Sequence, residues 1–340
     1  MKSLKSFYNE TPYTKEQKYI IEKEIYETLK IKKNVKIRKI KEEQVLKRKV
    51  FIFKEKNYNK PQNIFFIKYS NELTIFGRKL LSELRQQNLI PSINCSLITE
   101  NMIIGFLKEY QIDDVNIIIQ YYPLFDGEKK YIFNKIKKNR FIDIYHPFKY
   151  YDFKTKKESD SPKDGWRIFK NTETELFNGE KHLRKYTMQF LKSQKITKNM
   201  VFFDPACSTG DFLYTVKKRY PKIITIGQDL GKEMVKCAKE KLDIVYLGDS
   251  INTKVKNKSI DFLFLRFLNF RVVTTAKALK LYKYLIKKVK IGGYIICFGH
   301  TPILLSYKEL NRKGYRIIQC NGYNKKYNSI FQYYIIRREK

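Results

Sequence analysis

Hydrophobic and polar positions follow two periods in the second half of the chain. Short apolar runs, which predict buried strands, are separated by segments whose apolar residues recur at helical spacing. The strand-like runs cover residues 201–203, 223–227, 244–247, 262–265 and 294–298, and helices are predicted at 211–218, 232–241 and 276–289. This alternation predicts an α/β fold with a doubly wound parallel sheet. Two last runs, 315–320 and 330–337, predict an antiparallel hairpin that brings the sheet to seven strands.

The first half follows a different pattern, in which strand-like runs predominate. A helix is predicted around residues 20–29, where Ile20, Ile21, Ile25 and Leu29 recur at helical spacing. Strands are predicted at 35–40, 50–53, 64–69 and 115–122, and further helices at 77–87 and 100–110. The pattern predicts a smaller α+β domain over residues 1–153 without a catalytic motif that we can name. We expect it to serve as a scaffold, a substrate lid or an accessory domain.

A polar segment separates the two halves. Residues 154–165 read K-T-K-K-E-S-D-S-P-K-D-G, and their charge, proline and glycine predict a linker. The C-terminal domain then covers residues 166–340 and begins at Trp166, the only tryptophan of the chain. Apolar residues between positions 174 and 191 predict helices that lead into the first strand of the sheet.

The composition narrows the class of protein. With 340 residues, 43% of them hydrophobic, the chain can bury the core of one large domain or two medium domains. It has no run of about 18 apolar residues that would predict a membrane span, and its N-terminus lacks the apolar centre of a signal peptide. The five cysteines lack C-x-x-C spacing, so we expect no disulfide framework, no metal site and a cytoplasmic location.

The formal net charge of +36 has two interpretations. It fits a nucleic-acid partner, and it also fits compositional drift, since only 14 of the 70 basic residues are arginine. Residues 1–160 contain 33 basic and 20 acidic side chains, against 37 and 14 in residues 161–340. A dedicated binding arm would concentrate this charge, so its spread favours drift. The excess in the second half keeps RNA binding open.

The segment 201–212, V-F-F-D-P-A-C-S-T-G-D-F, carries the strongest functional signal. It predicts a buried strand, a tight turn of small residues and the N-terminus of a helix, which together form a site where backbone N–H groups face a ligand. Acidic residues recur at the ends of the predicted strands: Asp204, Asp229 and Asp249 end the first three, and Asp261 opens the fourth. A carboxylate that ends the second strand is placed to accept hydrogen bonds from ribose hydroxyls.

With these landmarks, the chain from about Leu183 to the C-terminus resembles the class I S-adenosylmethionine-dependent methyltransferases. Ala206 and Ser208 stand where the family's common first motif has its first two glycines, and Gly210 keeps the third. The segment L-I-K-K-V-K-I-G-G-Y resembles the turn before the family's fifth strand, with Ile291 in place of proline. The resemblance implies a set of cofactor-binding residues, namely Asp204, Ala206, Ser208 and Gly210 at the methionine end, Asp229 at the ribose, Leu230 and Asp249 at the adenine, and Ser250 and Arg184 as further contacts.

The acceptor is defined less well than the methyl donor. The first motif is spelled most like that of adenine-specific DNA methyltransferases, but their N-P-P-Y or D-P-P-Y tetrapeptide is replaced by L-R-F-L-N-F-R, and no Pro-Cys pair exists. DNA is therefore not the expected acceptor. His300, just after the fifth predicted strand, is either a general base or a histidine bonded to backbone. Arg266 binds an acceptor anion, or else forms a salt bridge to Asp261 or another nearby acid.

These features predict an S-adenosylmethionine-dependent methyltransferase that acts by direct displacement on the oxygen or nitrogen of a small molecule. His300 and Arg266 are its predicted catalytic residues. The first alternative is an RNA-modifying methyltransferase with a basic N-terminal platform. A non-catalytic binding protein on a methyltransferase fold is a further alternative, against which the complete set of cofactor landmarks argues.

Overall fold

The computed structural model describes most of the chain from residue 36 onward. The described residues are 36–57, 63–79, 97–113, 115–149, 151, 155, 157–158, 160–168, 172–266, 268, 272–299 and 304–340, of which 172–179 are described by backbone alone. They fall into two compact units. The C-terminal unit contains residues 160–319 and 333–340, and the N-terminal unit contains the preceding residues together with 320–332. No helix in the described ranges is long and apolar enough to cross a membrane.

A seven-stranded mixed sheet forms the centre of the C-terminal unit. Its strands are β7 (Val201–Asp204), β8 (Ile224–Asp229), β9 (Ile244–Leu247), β10 (Ile260–Arg266), β11 (Val289–Phe298), β12 (Tyr315–Asn324) and β13 (Ser329–Arg338). The sheet order is β12-β13-β11-β10-β7-β8-β9. Strands β7 to β11 pair in parallel, and β13 pairs antiparallel with β11. The predicted strands of this half are thus present, with the last two runs forming the antiparallel strands β12 and β13.

Helices follow the parallel strands as the hydrophobic pattern predicts. They are α3 (Thr172–Lys192), α4 (Asp211–Arg219), α5 (Lys232–Lys239), α6 (Thr275–Leu285) and α7 (Tyr307–Arg312). In α4 the apolar residues Phe212, Leu213 and Val216 are buried together on one face. Strand β10 is buried along nearly its whole length, as expected for a central parallel strand covered on both faces.

The N-terminal unit is built on a separate six-stranded antiparallel sheet. Its strands are β1 (Phe51–Lys56), β2 (Ile64–Lys68), β3 (Thr74–Arg78), β4 (Ile103–Ile112), β5 (Asn116–Pro123) and β6 (Asp143–Tyr145), in the order β1-β5-β4-β3-β2-β6. Its described residues include the α-helices α1 (Glu42–Leu46) and α2 (Asp126–Ile136). The buried side chains of Ile64, Phe66, Phe76, Ile119 and Phe148 form a core on this sheet.

Three predictions for this first half are wrong. The helix predicted at 100–110 is strand β4, and Gly77 of the helix predicted at 77–87 lies in β3, while residues 80–87 lie outside the described ranges. Residues 36–40 form no strand, and the backbone N–H of Arg38 donates to the carbonyl of Gly127 instead. The helix predicted around residues 20–29 also lies outside the described ranges. The domain boundaries and the linker at 154–165 stay predictions.

Candidate functional site

The turn Pro205–Gly210 joins β7 to α4 at the carboxyl edge of the parallel strands. Two of its residues adopt left-handed backbone conformations, Ser208 with φ 53° and Gly210 with φ 82°. A Cβ atom on Gly210 would come within 3.1 Å of Ala238 Cα, so glycine is required there for both conformation and packing. The N–H of Gly210 donates to the carbonyl of Cys207 at 2.9 Å. The small residues of the motif therefore form a tightly folded turn.

Asp229, at the end of β8, holds this turn from the neighbouring strand. Its Oδ2 accepts a hydrogen bond from the N–H of Ser208 at 2.8 Å, and its Oδ1 accepts one from the N–H of Gly231 at 2.9 Å. Burial raises the pKa of Asp229, and the two backbone N–H groups oppose that shift. An ionised carboxylate has about four lone-pair sites, so both oxygens can still accept hydrogen bonds from a ligand.

Asp204, at the end of β7, is fully buried and faces a guanidinium. Arg266 Nε donates to Asp204 Oδ2 at 2.6 Å, and the N–H of Ala206 donates to Asp204 Oδ1 at 3.1 Å. Burial raises the pKa of Asp204, and the charge of Arg266 works against that rise. For Arg266, burial lowers the pKa, but Asp204 and Glu180 outweigh it and the net shift is upward.

Glu180 is a charged neighbour of Arg266 that no sequence motif predicts. This residue of α3 accepts two hydrogen bonds from Arg266 Nη1, at 2.8 and 2.9 Å, and a third from Arg184 Nε at 3.1 Å. All four charged side chains, Glu180, Arg184, Asp204 and Arg266, are buried. The spacing of Glu180 and Arg184 by four residues on a helix was the available local signal.

The loop after β9 completes the row of predicted cofactor residues. Asp249 is exposed, and its Oδ1 accepts the N–H of Ile251 at 3.0 Å. The hydroxyl of Ser250 donates to the carbonyl of Pro205, which ties this loop to the turn after β7. Gln228 Nε2 donates to the carbonyls of Gly248 and Asp249, at 3.1 and 3.0 Å. The loop is thus held by the side chain of Gln228 from β8 and by its own Ser250 hydroxyl, which bonds the turn after β7.

The remaining predicted site residues have varied positions. Ala206 and Leu230 are half-buried beside Asp204 and Asp229. His300 lies outside the described residues. Asp261 lies at the amino end of β10, where its Oδ2 accepts hydrogen bonds from the N–H of Val201 at 2.7 Å and from Lys290 Nζ at 2.8 Å. Asp261 is therefore at the other edge of the sheet from Arg266, and its contacts are structural.

The donor set at this edge fits a polar organic ligand. Two carboxylates, Asp229 and Asp249, are held by backbone N–H groups at the ends of adjacent strands. Across the described residues, no group of three or more His, Cys, Asp or Glu side chains is placed to hold a metal ion. The thiol of Cys207 is buried, and burial raises its pKa well above the usual value, which fits a packing role.

Comparison with known proteins gives one curated relative over most of the chain. The chain is 28% identical to isonocardicin synthase of Nocardia uniformis subsp. tsuyamanensis over 283 residues, which cover 82% of this chain and 92% of that protein. No protein-family model matches the chain.

Solved structures of methyltransferases resemble part of the chain. One is a methyltransferase from Aquifex aeolicus, 19% identical with a TM-score of 0.37, which matches 50% of this chain and 100% of that one. Another is the magnesium protoporphyrin IX methyltransferase of Synechocystis with bound S-adenosylmethionine, 13% identical with a TM-score of 0.39, which matches 51% and 86%. The chain is similar to S-adenosylmethionine-dependent methyltransferases.

Proposed function

We propose that the protein is an S-adenosylmethionine-dependent methyltransferase with a doubly wound sheet, acting on the oxygen or nitrogen of a small molecule. The observation that carries this proposal is the link between the turn after β7 and the carboxylate after β8. Ser208 N–H and Gly231 N–H fix both oxygens of Asp229 while leaving acceptor sites for ribose hydroxyls. The small residues of the turn let a ligand approach its backbone closely. Larger side chains at these positions would keep the ligand away.

The residues present fit the cofactor that the resemblance implies. We assign the ribose to Asp229, the adenine to Leu230 and Asp249, and the methionine end to the turn Pro205–Gly210. The bound sulfonium would supply an electrophilic methyl group. The protein's part is to position that group in line with the acceptor atom and to exclude water, which lowers the entropic cost of the displacement.

Arg266 receives a different role from the one predicted for it. Its guanidinium donates to Asp204, to Glu180 and, at 3.3 Å, to the carbonyl of Ala206, and it lies 4.7 Å from the centre of the Phe212 ring. We propose that Arg266 holds Asp204 and the turn in place, instead of binding an acceptor anion. The predicted salt bridge to a nearby acid is present, with Asp204 and Glu180 as the acids in place of Asp261.

Analysis of the nucleoside product tests the reaction. The protein is incubated with S-adenosylmethionine and pools of small phenols, alcohols and amines, and nucleosides are identified by mass spectrometry. The proposal expects S-adenosylhomocysteine together with an acceptor heavier by one methylene unit. Methylthioadenosine as the nucleoside product would show that another substituent of the sulfonium is transferred, and would contradict methyl transfer.

His300 is proposed as the general base, on the basis of its sequence position alone. A general base accepts the proton in its neutral form, so turnover should rise as the pH increases and His300 loses its proton. His300→Gln should remove this rise and lower kcat about 10²- to 10⁴-fold. An unchanged pH profile in the variant would leave His300 without this role.

The net charge of +36 favours one alternative acceptor, RNA. If RNA is bound through its phosphates, the logarithm of its affinity falls linearly with the logarithm of salt concentration. The small-molecule proposal expects RNA affinity to be weak at physiological salt. Tight, sequence-dependent RNA binding with methyl incorporation would replace the small molecule by RNA.

A further inference from the structure

We propose that residues Asp160–Ile168, the strap, form one wall of the nucleoside pocket. This proposal rests on the proposed function, because it assigns the strap to the pocket that holds S-adenosylmethionine. The strap belongs to the C-terminal unit, and its sequence gave no ligand-binding signal. Its contacts tie it to two loops at the carboxyl edge of the parallel strands.

One part of the strap packs against the loop after β8. Gly165 is buried with φ 75°, and a Cβ atom there would lie 2.4 Å from the backbone nitrogen of Gly231 and 2.8 Å from the carbonyl carbon of Leu230. The N–H of Ile168 donates to Glu233 Oε2, in the first turn of α5, at 3.0 Å. A side chain at position 165 would therefore separate the strap from the loop.

The contact between Gly165 and the loop is linked to Asp229, the residue assigned to the ribose, through Gly231. The backbone nitrogen that Gly165 approaches is the one that donates to Asp229 Oδ1. The adjoining residue, Leu230, is the one assigned to the adenine ring. The strap thus lies against Leu230 and against the backbone nitrogen that holds Asp229, and moving the strap would disturb both.

The N-terminal end of the strap is hydrogen-bonded to the segment that follows β10. Both the N–H and the hydroxyl of Ser161 donate to the carbonyl of Val272, at 3.2 and 2.5 Å, and Asp160 forms a salt bridge with Lys277 of α6. In the sheet, β7 lies between β8 and β10. Two strand spacings amount to roughly 10 Å, which the few residues between Ser161 and Gly165 can span. The strap is therefore fixed at one end to the segment between β10 and α6 and at the other end to the loop after β8.

Trp166 makes this proposal measurable. It is half-buried in the strap and is the only tryptophan of the chain, so selectively excited indole emission reports on this segment alone. Its backbone carbonyl lies 3.0 Å from the position of a Cβ atom on Gly231. A nucleoside bound beside Leu230 should change the surroundings of this indole.

The experiment titrates the full-length protein with S-adenosylhomocysteine and follows binding by calorimetry and by Trp166 emission in parallel. We expect the emission to change with the calorimetric affinity. We also expect Gly165→Val to weaken that affinity roughly tenfold, or about 1.4 kcal/mol. Gly292→Ala is the matched control, because Gly292 has φ 81° but open space around a Cβ atom, and its affinity should match the wild type.

The possible outcomes distinguish a failure of the strap proposal from a failure of the proposed function. Two results would contradict the role proposed for the strap without contradicting the proposed function. One is binding heat with unchanged Trp166 emission, and the other is an affinity of Gly165→Val within twofold of the wild type. No binding heat at all would overturn both. If Gly165→Val does not fold, Glu233→Ala replaces it, since it removes the acceptor of the Ile168 N–H, and the same criteria apply.

Discussion

Two pairs of carboxylates, one pair in each unit, are held in different ways. In the N-terminal unit, Glu128 accepts both terminal nitrogens of Arg48, at 2.8 and 2.6 Å, and Glu55 accepts Arg78 Nε at 2.7 Å. In the C-terminal unit, Asp229 and Asp249 accept hydrogen bonds from backbone N–H groups. A guanidinium satisfies and neutralises its carboxylate, whereas a backbone N–H leaves the charge and further lone pairs available. Among these four acids, the difference separates the two that are paired with arginine from the two that we propose contact the nucleoside.

Asp204 accepts hydrogen bonds from both a guanidinium and a backbone N–H group. Removing its guanidinium partner gives the largest expected effect on the free energy of unfolding. Replacing Arg266 by Met leaves Asp204 and Glu180 buried without their shared cation, which should lower the free energy of unfolding by about 3–5 kcal/mol. Arg266→Lys should lose less, because the charge is kept while the geometry that reaches both acids is not. Thermal unfolding of both variants checks the order.

A triple variant serves as the control for this effect. Adding Asp204→Asn and Glu180→Gln to Arg266→Met removes the uncompensated charges, so part of the lost stability should return. If Arg266→Met is as stable as the wild type, Arg266 does not neutralise these acids, and the structural role proposed for it fails.

Glu128 gives the second-largest expected effect on the free energy of unfolding, and this effect depends on pH. Burial raises its pKa, but the Arg48 guanidinium and the N–H of Phe125 outweigh burial and hold the pKa below the ordinary 4.5. The unfolded state therefore binds a proton first as the pH falls, so the stability due to Glu128 is present above pH 4.5 and is lost as the pH falls through the lower, folded-state pKa.

Glu128→Gln removes this dependence. At pH 7 the variant should lose about 1–3 kcal/mol, because Arg48 keeps its charge beside a neutral partner. Its deficit should shrink as the pH falls below 4.5, as measured by urea unfolding across that range. A deficit that stays constant with pH would mean that the ion pair does not carry the stability.

Asp243 gives the smallest effect, because its pair is open to solvent. Its Oδ1 accepts Lys217 Nζ at 2.5 Å, with side chains 37% and 26% exposed, and its Oδ2 accepts the N–H and hydroxyl of Thr225. Asp243→Asn should cost less than about 1 kcal/mol. The loss should diminish in high salt, and a larger, salt-independent loss would place Asp243 with the buried acids.

The parallel half of the fold was predictable because its signals are local. Each central strand is an apolar run followed by a polar turn, and the spacing of Asp204 and Asp229 placed them at adjacent strand ends. Strand β4 was not predictable in this way. A Cβ atom on Gly105 would lie 2.3 Å from the carbonyl of Tyr122, so pairing with β5, the next strand of the chain, decides this segment, and the apolar spacing within residues 100–110 does not show that pairing.

The partners of Arg266 show the same limit at the site. The sequence offered Asp261 as a partner, five residues away on the same strand, but five residues of strand span roughly 16 Å. The carboxylates that reach the guanidinium come from β7 and from α3. The positions of these two carboxylates follow from the packing of elements that are distant in the sequence. No motif around Glu180 pointed to Arg266 as its partner.

Asp229 provides the most direct test of the account. Calorimetric titration with S-adenosylhomocysteine should give binding to the wild type, with an affinity loss of about 10- to 100-fold for Asp229→Asn, the equivalent of a hydrogen bond to a charged group. Glu128→Gln is the matched control and should bind as the wild type does. Equal affinities for wild type and Asp229→Asn would contradict the assignment of this carboxylate to the nucleoside.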